Sequence, residues 1–164
     1  MAGPDPRILI LGSMPSETSL KHHQYYAHPR NTFWPVMGAL LGFDPEQPYR
    51  QRLEALKAGH VALWDVVHQC KRPGSLDSNI ERESMEPNGF PAFFAGHPDI
   101  RAIFFNGGTA EVLFQRYVMP ALSGPVRKLP MHRLPSTSPA HAALSFDQKF
   151  MHWQVIRSYL PAVC

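Results

Sequence analysis

The sequence predicts an α/β fold: a three-layer αβα sandwich around a central, mostly parallel four-stranded sheet, in one domain over residues 1–164. Three observations predict it. Short apolar runs without polar alternation recur along the chain, as strands buried on both faces require. Segments with helical spacing and helix stop signals separate those runs, which is the βα alternation of a parallel sheet. The 164 residues, 44% hydrophobic and 18% charged, suffice for one buried core.

The elements follow in order. Arg7-Ile8-Leu9-Ile10-Leu11-Gly12 reads as a buried strand ended by glycine. A long loop over 13–29, rich in Ser, His and Tyr, comes next, and long ordered loops are usually functional. Asn31 stands where a helix N-cap belongs, before Phe33, Trp34, Met37, Leu40 and Leu41; Pro35 is tolerated in the first turn and Gly42 ends the helix. A second helix covers Tyr49–Ala58, with Leu53 and Leu56 inward and Gly59 as its stop. Val61-Ala62-Leu63-Trp64-Asp65-Val66-Val67 reads as one buried strand. Residues 71–79 are irregular. A helix is predicted over 90–95, a strand over 102–105, and a helix over 109–117 after Asn106-Gly107-Gly108. A more polar edge strand follows over 128–134. A last helix over 146–159 places Phe150, Trp153, Ile156 and Leu160 on one stripe.

Composition excludes several classes. Whole-chain disorder needs low hydrophobicity and high net charge. No apolar run approaches the roughly 20 residues that span a bilayer, and residues 1–7 lack a secretory signal pattern. Cys70 and Cys164 cannot build a disulfide framework, so a reducing compartment is the simpler reading. No CxxC occurs, which excludes a four-cysteine zinc site. Lys plus Arg total 16 against 13 for Asp plus Glu, a net +3 that points only weakly to a polyanion. Proline, at 17, is scattered, marking ordered turns rather than a linker.

In parallel sheets ligands bind beyond the carboxyl ends of the strands. The predicted loops there are 12–29, 71–79, 106–108 and 135–142, the least generic parts of the chain. Gly12-Ser13-Met14-Pro15-Ser16 lacks a phosphate-binding fingerprint, and reads as a strand-end turn able to expose amide N–H groups. His22, His23 and His28 have no metal-ligand spacing. Asn31 and Asn106 read either as cap and turn residues or as amides that hold a water or a base edge without ionising. Tyr25 and Tyr26 either pack the loop or stack on a nucleobase. Ser136-Thr137-Ser138-Pro139 either caps the next segment or contacts phosphates through hydroxyls and amides. Without GxSxG, serine nucleophile chemistry is the weaker reading.

Together these residues resemble the uracil-DNA glycosylase superfamily, nearest the branch of hypoxanthine-DNA (deoxyinosine) glycosylases, over residues 8–159. Ile8-Leu9-Ile10-Leu11-Gly12-Ser13-Met14-Pro15-Ser16 stands at the first motif. His28-Pro29-Arg30-Asn31-Thr32-Phe33-Trp34 is similar to the HPxNxFW stretch of the mismatch-specific uracil/thymine glycosylases. Gly74-Ser75-Leu76-Asp77-Ser78-Asn79-Ile80 resembles the deoxyinosine branch, and Leu134-Pro135-Ser136-Thr137-Ser138-Pro139-Ala140 the second motif, a minor-groove loop. Several relatives carry an Asp or Asn in the first motif that positions or activates the attacking water. Here the position is Met14, whose thioether does neither task well.

The resemblance implies a DNA repair enzyme that flips a deaminated base, hypoxanthine foremost, out of DNA and hydrolyses its N-glycosidic bond. Asn31 becomes the implied catalytic residue. Gly12, Ser13, Met14, Tyr26, His28 and Asn106 form the implied base pocket, with Tyr26 stacking and Asn106 hydrogen-bonding the base. Ser136, Thr137, Ser138, Pro139, Ala140 and His141 form the DNA contact, with Ala140 or His141 as wedge. Asp77 and Asn79 fall at the pocket rim. No metal or organic cofactor is implied. The expected partner is double-stranded or single-stranded DNA, met by a cytoplasmic, nucleoid-associated monomer of prokaryotic type that does not engage membranes. Lys21, Lys57, Lys71, Lys128 and Lys149 all read as solvated, so a monofunctional enzyme leaving an abasic site is expected. The alternatives are removal of uracil, xanthine or mismatched thymine, a non-catalytic damaged-DNA binder, and a nucleotide-binding domain that never meets DNA.

Overall fold

The structure is a computed structural model. It describes residues 1–71 and 81–162, apart from the side chains of 69–71 and 81–84. In chain order the elements are β1 (Ile8–Gly12), α1 (Glu17–His22), α2 (Phe33–Leu41), α3 (Tyr49–Ala58), β2 (Val61–Asp65), β3 (Val67–Lys71), β4 (Glu81–Pro87), α4 (Phe90–Gly96), β5 (Ala102–Asn106), α5 (Gly108–Tyr117), β6 (Met131–Leu134) and α6 (Phe146–Trp153). Four strands form the central sheet in the order β2-β1-β5-β6, every neighbouring pair parallel. Parallel neighbours need crossover connections, and the helices supply them.

Successive strand side chains point to opposite faces, and both faces of this sheet are buried. Ile8, Ile10, Val61, Leu63, Ala102 and Phe104 pack with Phe33, Met37, Leu56, Trp153 and Ile156 of the helical layer on one side. Leu9, Leu11, Ala62, Ile103 and Phe105 pack with Phe90, Phe94, Leu113 and Phe114 on the other. This gives the three layers that the continuous apolar runs predict.

Five expectations need correction. The predicted loop 13–29 contains α1, whose N-cap Ser16 accepts the Ser19 N–H at 3.1 Å. The predicted strand over 61–67 breaks at Val66. The sheet ends at Asp65, and β3 pairs instead with β4 in an antiparallel ribbon. The strand expected over 128–134 begins only at Met131, because Gly124–Lys128 forms a 3-10 turn. The last helix gives way after Trp153 to a 3-10 turn, Gln154–Tyr159, which still buries Ile156. Lys149 is also not solvated: it is 4% exposed. The stretch 74–80, with Asp77 and Asn79, lies outside the described residues, as does Cys164. Among the described residues no helix is long and apolar enough to cross a membrane.

Candidate functional site

A cleft of about 790 Å³ opens beyond the carboxyl ends of the sheet strands, where parallel sheets place ligands. It lies within the 300–1,000 Å³ typical of small-ligand sites. Gly12, Ser13, Met14, Tyr26, His28, Asn31 and Asn106 all line it, as does the whole run from Ser136 to His141. The structure therefore brings the sequence-predicted site residues to one place. Of the expected contribution from 71–79, residues 72–79 lie outside the described residues; among the described ones Trp64, Asp65, Val67, His68 and Asn88 also line the cleft. The Asn88 amide nitrogen donates to the Asp65 carbonyl at 2.8 Å, and its backbone N–H to Val66 O at 2.9 Å, which pins the β4 end beside the cleft.

One wall is the turn carrying Tyr26. An aromatic residue in the left-handed region (φ 53°) is sterically costly. Neighbours hold it there. Tyr49 Oη accepts the Tyr25 N–H at 2.9 Å, and Trp34 Nε1 donates to Tyr25 O at 3.0 Å. The Tyr26 ring lies on Phe33, centroids 4.0 Å apart and planes at 25°. One face of that ring is thus covered by the core, and the residue borders the cleft. Arg52 stacks over both Trp34 and Tyr49, bracing the same support. Burial, with Asp65 and Tyr49 adding to it, pushes the Tyr25 hydroxyl well above its ordinary value, so it stays protonated.

Asn31 precedes α2 as expected, but the formal N-cap position is Thr32, which makes no side-chain cap. Asn31 does the capping from one residue earlier: its Oδ1 accepts the Phe33 N–H at 2.9 Å. Among the described residues its Nδ2 donates no hydrogen bond. Cap and chemical candidate are therefore the same residue, with its amide plane fixed by the helix end.

The opposite wall is the segment after β6. Trp153 Nε1 donates to Pro135 O at 2.9 Å and anchors its start. Within it, Ser136 Oγ accepts the Ser138 N–H and Ser138 Oγ accepts the Ala140 N–H, both at 3.2 Å. Each hydroxyl keeps its own proton to donate outward. Ala140 and His141 are exposed at the rim.

Two of the predicted site residues bond each other. Thr137, expected among the DNA contacts, is 1% exposed. Asn106, expected to bond a base, makes one bond to Thr137 at each end of its amide: Oδ1 accepts the Thr137 N–H and Nδ2 donates to Thr137 Oγ1, each at 2.9 Å, which leaves one Nδ2 hydrogen and one Oδ1 lone pair. Thr137 O in turn accepts the Thr32 N–H at 3.0 Å. These bonds tie β5, the second-motif segment and the start of α2 into one unit, so Asn106 and Thr137 act as a clamp. Gly107 makes the joint possible. It has φ 96°, and a Cβ there would sit 3.2 Å from Ser136 Cβ.

The residue that sequence reasoning missed is Asp65. It is 8% exposed, lines the cleft and ends β2 opposite Gly12 of β1. A Cβ on Gly12 would come within 2.6 Å of Asp65 Oδ1 and 3.2 Å of the Tyr26 hydroxyl, so both groups converge over that glycine. The signal was present, since an acid at the carboxyl end of a parallel strand faces the ligand side. It was hidden because Val66 and Val67 made the apolar run look continuous.

The profile of the Uracil DNA glycosylase superfamily matches residues 2–160. The chain is 44% identical over 101 residues to a protein of Methanosarcina barkeri named hypoxanthine DNA glycosylase. That alignment covers 61% of this chain and 63% of the relative. A protein of the same name from Methanosarcina acetivorans is 38% identical over 135 residues, covering 77% of this chain and 84% of the relative. The fold is similar to a solution NMR structure of a candidate uracil DNA glycosylase from M. acetivorans, with a TM-score of 0.77, 31% identity, and coverage of 94% of this chain and 91% of that one.

Proposed function

This chain belongs to the Uracil DNA glycosylase superfamily, and on that premise we propose that it is a monofunctional DNA glycosylase that removes deaminated bases, hypoxanthine foremost. The two relatives above, named hypoxanthine DNA glycosylase, support that choice of base. One observation carries the reading. Asn31 and the segment 136–141, far apart in sequence, face the same cleft and are joined through Thr32 and Thr137.

The reaction is a hydrolysis. Water adds to the sugar C1′, the bond from C1′ to the base nitrogen breaks, and the bonding pair leaves with the base. The water's proton ends on the departing base by way of solvent, and an abasic site remains. The transition state carries positive charge on the sugar and negative charge on the base. Met14 cannot orient a water, so Asn31 takes that part. With one lone pair of Oδ1 given to the Phe33 N–H, the other accepts a water proton and aims the water oxygen at C1′. As a neutral amide it positions the water without deprotonating it, which suits a reaction that runs ahead on bond breaking.

The remaining roles follow from what each group has left to give. Tyr26 offers a stacking surface beside the Gly12 floor. Donors near Gly12 to Ser16 stabilise charge on the leaving base, and one preorganised donor is worth roughly 3 to 4 kcal/mol. Ser136 and Ser138 donate their hydroxyl protons to phosphates that flank the lesion. The exposed Ala140 and His141 enter the gap left by the flipped base, which costs a few kcal/mol to extrude and less at a mismatch. No lysine lines the cleft among the described residues, and buried Lys149 does not reach it. A Schiff-base route through the described lysines therefore has no support.

The test is cleavage of labelled duplexes carrying one deoxyinosine, uracil, xanthine or mismatched thymine, with alkali to break abasic sites. Cutting foremost at deoxyinosine, lost in Asn31→Ala while DNA binding persists, is the expected result. Cutting mainly at uracil would overturn the choice of base. Tight binding with no cutting would make the protein a damaged-DNA binder.

A further inference from the structure

Asp65 has no part in the chemistry above, yet it is the only carboxylate among the described residues lining the cleft. Its position says which part of a nucleotide it meets. Strand registers align Gly12 with Asp65, Leu11 with Phe105, and Asn106 with Leu134. Across the carboxyl edge of the sheet the order is thus Asp65, Gly12, Asn106, then the segment after Leu134. Neighbouring strands are about 4.8 Å apart, so Asp65 stands about 10 Å from the strand of Asn106 and farther from β6. The clamp through Thr137 holds the start of α2, and with it Asn31, at the β5–β6 end. A nucleotide whose phosphates and sugar lie at that end extends its base toward β2 and Gly12, where Asp65 Oδ1 and the Tyr26 hydroxyl converge. The far edge of the base then meets Asp65.

We propose that Asp65 reads the imino N–H that deamination creates, and so sets the specificity of the site for lactam bases. An ionised carboxylate only accepts hydrogen bonds. Adenine N1 and cytosine N3 present lone pairs; hypoxanthine N1 and uracil N3 present N–H groups beside a carbonyl. A carboxylate at that edge attracts the deaminated base and repels its parent. Guanine and thymine carry the same proton, and their matched pairs resist flipping instead. A site built on one hydrogen bond rejects analogues lacking it by as much as 10⁴–10⁵-fold, to an order of magnitude. Asp65 is here a specificity residue, not the base that activates water, because the sugar in this placement lies at the β5–β6 end, two strands away. This assignment rests on the glycosylase reading above.

The experiment compares wild type, Asp65→Asn and Asp65→Ala under single-turnover conditions. The substrates are duplexes with the best-cleaved deaminated base, its ring-N-methylated form, and its undeaminated parent. Wild type is expected to prefer the deaminated base over both by at least ~100-fold. Asp65→Asn has nearly the same volume, but its amide can donate to the parent's ring nitrogen. It is expected to narrow the deaminated-to-parent ratio at least ~10-fold, with a melting temperature near wild type. Asp65→Ala is expected to lose most discrimination against the methylated base. If both variants slow every substrate by one common factor, Asp65 acts on the sugar, the water or the fold, and the proposal is overturned. Failure of the wild type to cleave any duplex would instead overturn the glycosylase reading beneath it.

Discussion

Asn31 combines two duties that substitutions can separate. Its oxygen caps α2 through Phe33, and loss of such a cap costs about 1 kcal/mol. Asn31→Ala should therefore lower both stability and cleavage. Asn31→Ser keeps a short acceptor for the same N–H but loses the reach of the amide. It should hold urea-denaturation stability within about 0.5 kcal/mol of wild type, while single-turnover cleavage falls at least ~100-fold. Equal losses of stability and activity in both variants would confine Asn31 to capping. Asn106 also carries two duties: one Nδ2 hydrogen and one Oδ1 lone pair hold Thr137, and the other two remain at the cleft. A polar residue in a motif becomes a ligand contact only when its hydrogen-bonding groups are left for the ligand, which residue type alone cannot reveal.

Among the elements, the start of α5 bears on the second-motif segment. Gly107→Ala would put a Cβ into a left-handed backbone and 3.2 Å from Ser136 Cβ. The expected cost is about 1–3 kcal/mol, read by urea denaturation, with a raised KM for duplex as Ser136 shifts. On α6, burial lowers the Lys149 ammonium below its ordinary value. The folded state then binds fewer protons than the unfolded state as pH approaches 10.5, so this group's penalty on folding is full near neutrality and shrinks with rising pH. Lys149→Met should raise stability at pH 7 and flatten the rise in unfolding free energy as pH climbs toward 10.5. Denaturant titrations across that window check both. The apolar runs of β1 and β5 and the Gly42 stop of α2 were readable because burial on two faces and a left-handed C-cap leave local marks. The break at Val66 left none: a run of Val fits a strand equally well in either sheet, and only pairing decides which.

For the whole molecule, the net charge of +3 is small, and no Lys or Arg lines the cleft among the described residues. Neutral hydroxyls and amides hold phosphates without releasing many counterions. The dependence of log K for lesion DNA on log salt should accordingly be shallow, with a slope no steeper than about −3. Fluorescence anisotropy over a range of NaCl checks it; a slope near −6 would mean that cations outside the described cleft carry the binding.

By itself the sequence determined the fold class, the family and three segments that meet at the cleft, 12–29, 106–108 and 135–142. Those depend on hydrophobic periodicity, caps and motifs, all of which are local along the chain. Tertiary structure alone decided how the polar groups divide. It joined Asn106 to Thr137, set the Asn31 oxygen on Phe33, buried Lys149, and turned Asp65 into the ligand cleft by ending the sheet one residue before Val66. Hydrogen-bond partners and burial are properties of positions in space, and residues 31 positions apart become neighbours only when the strands that carry them pair.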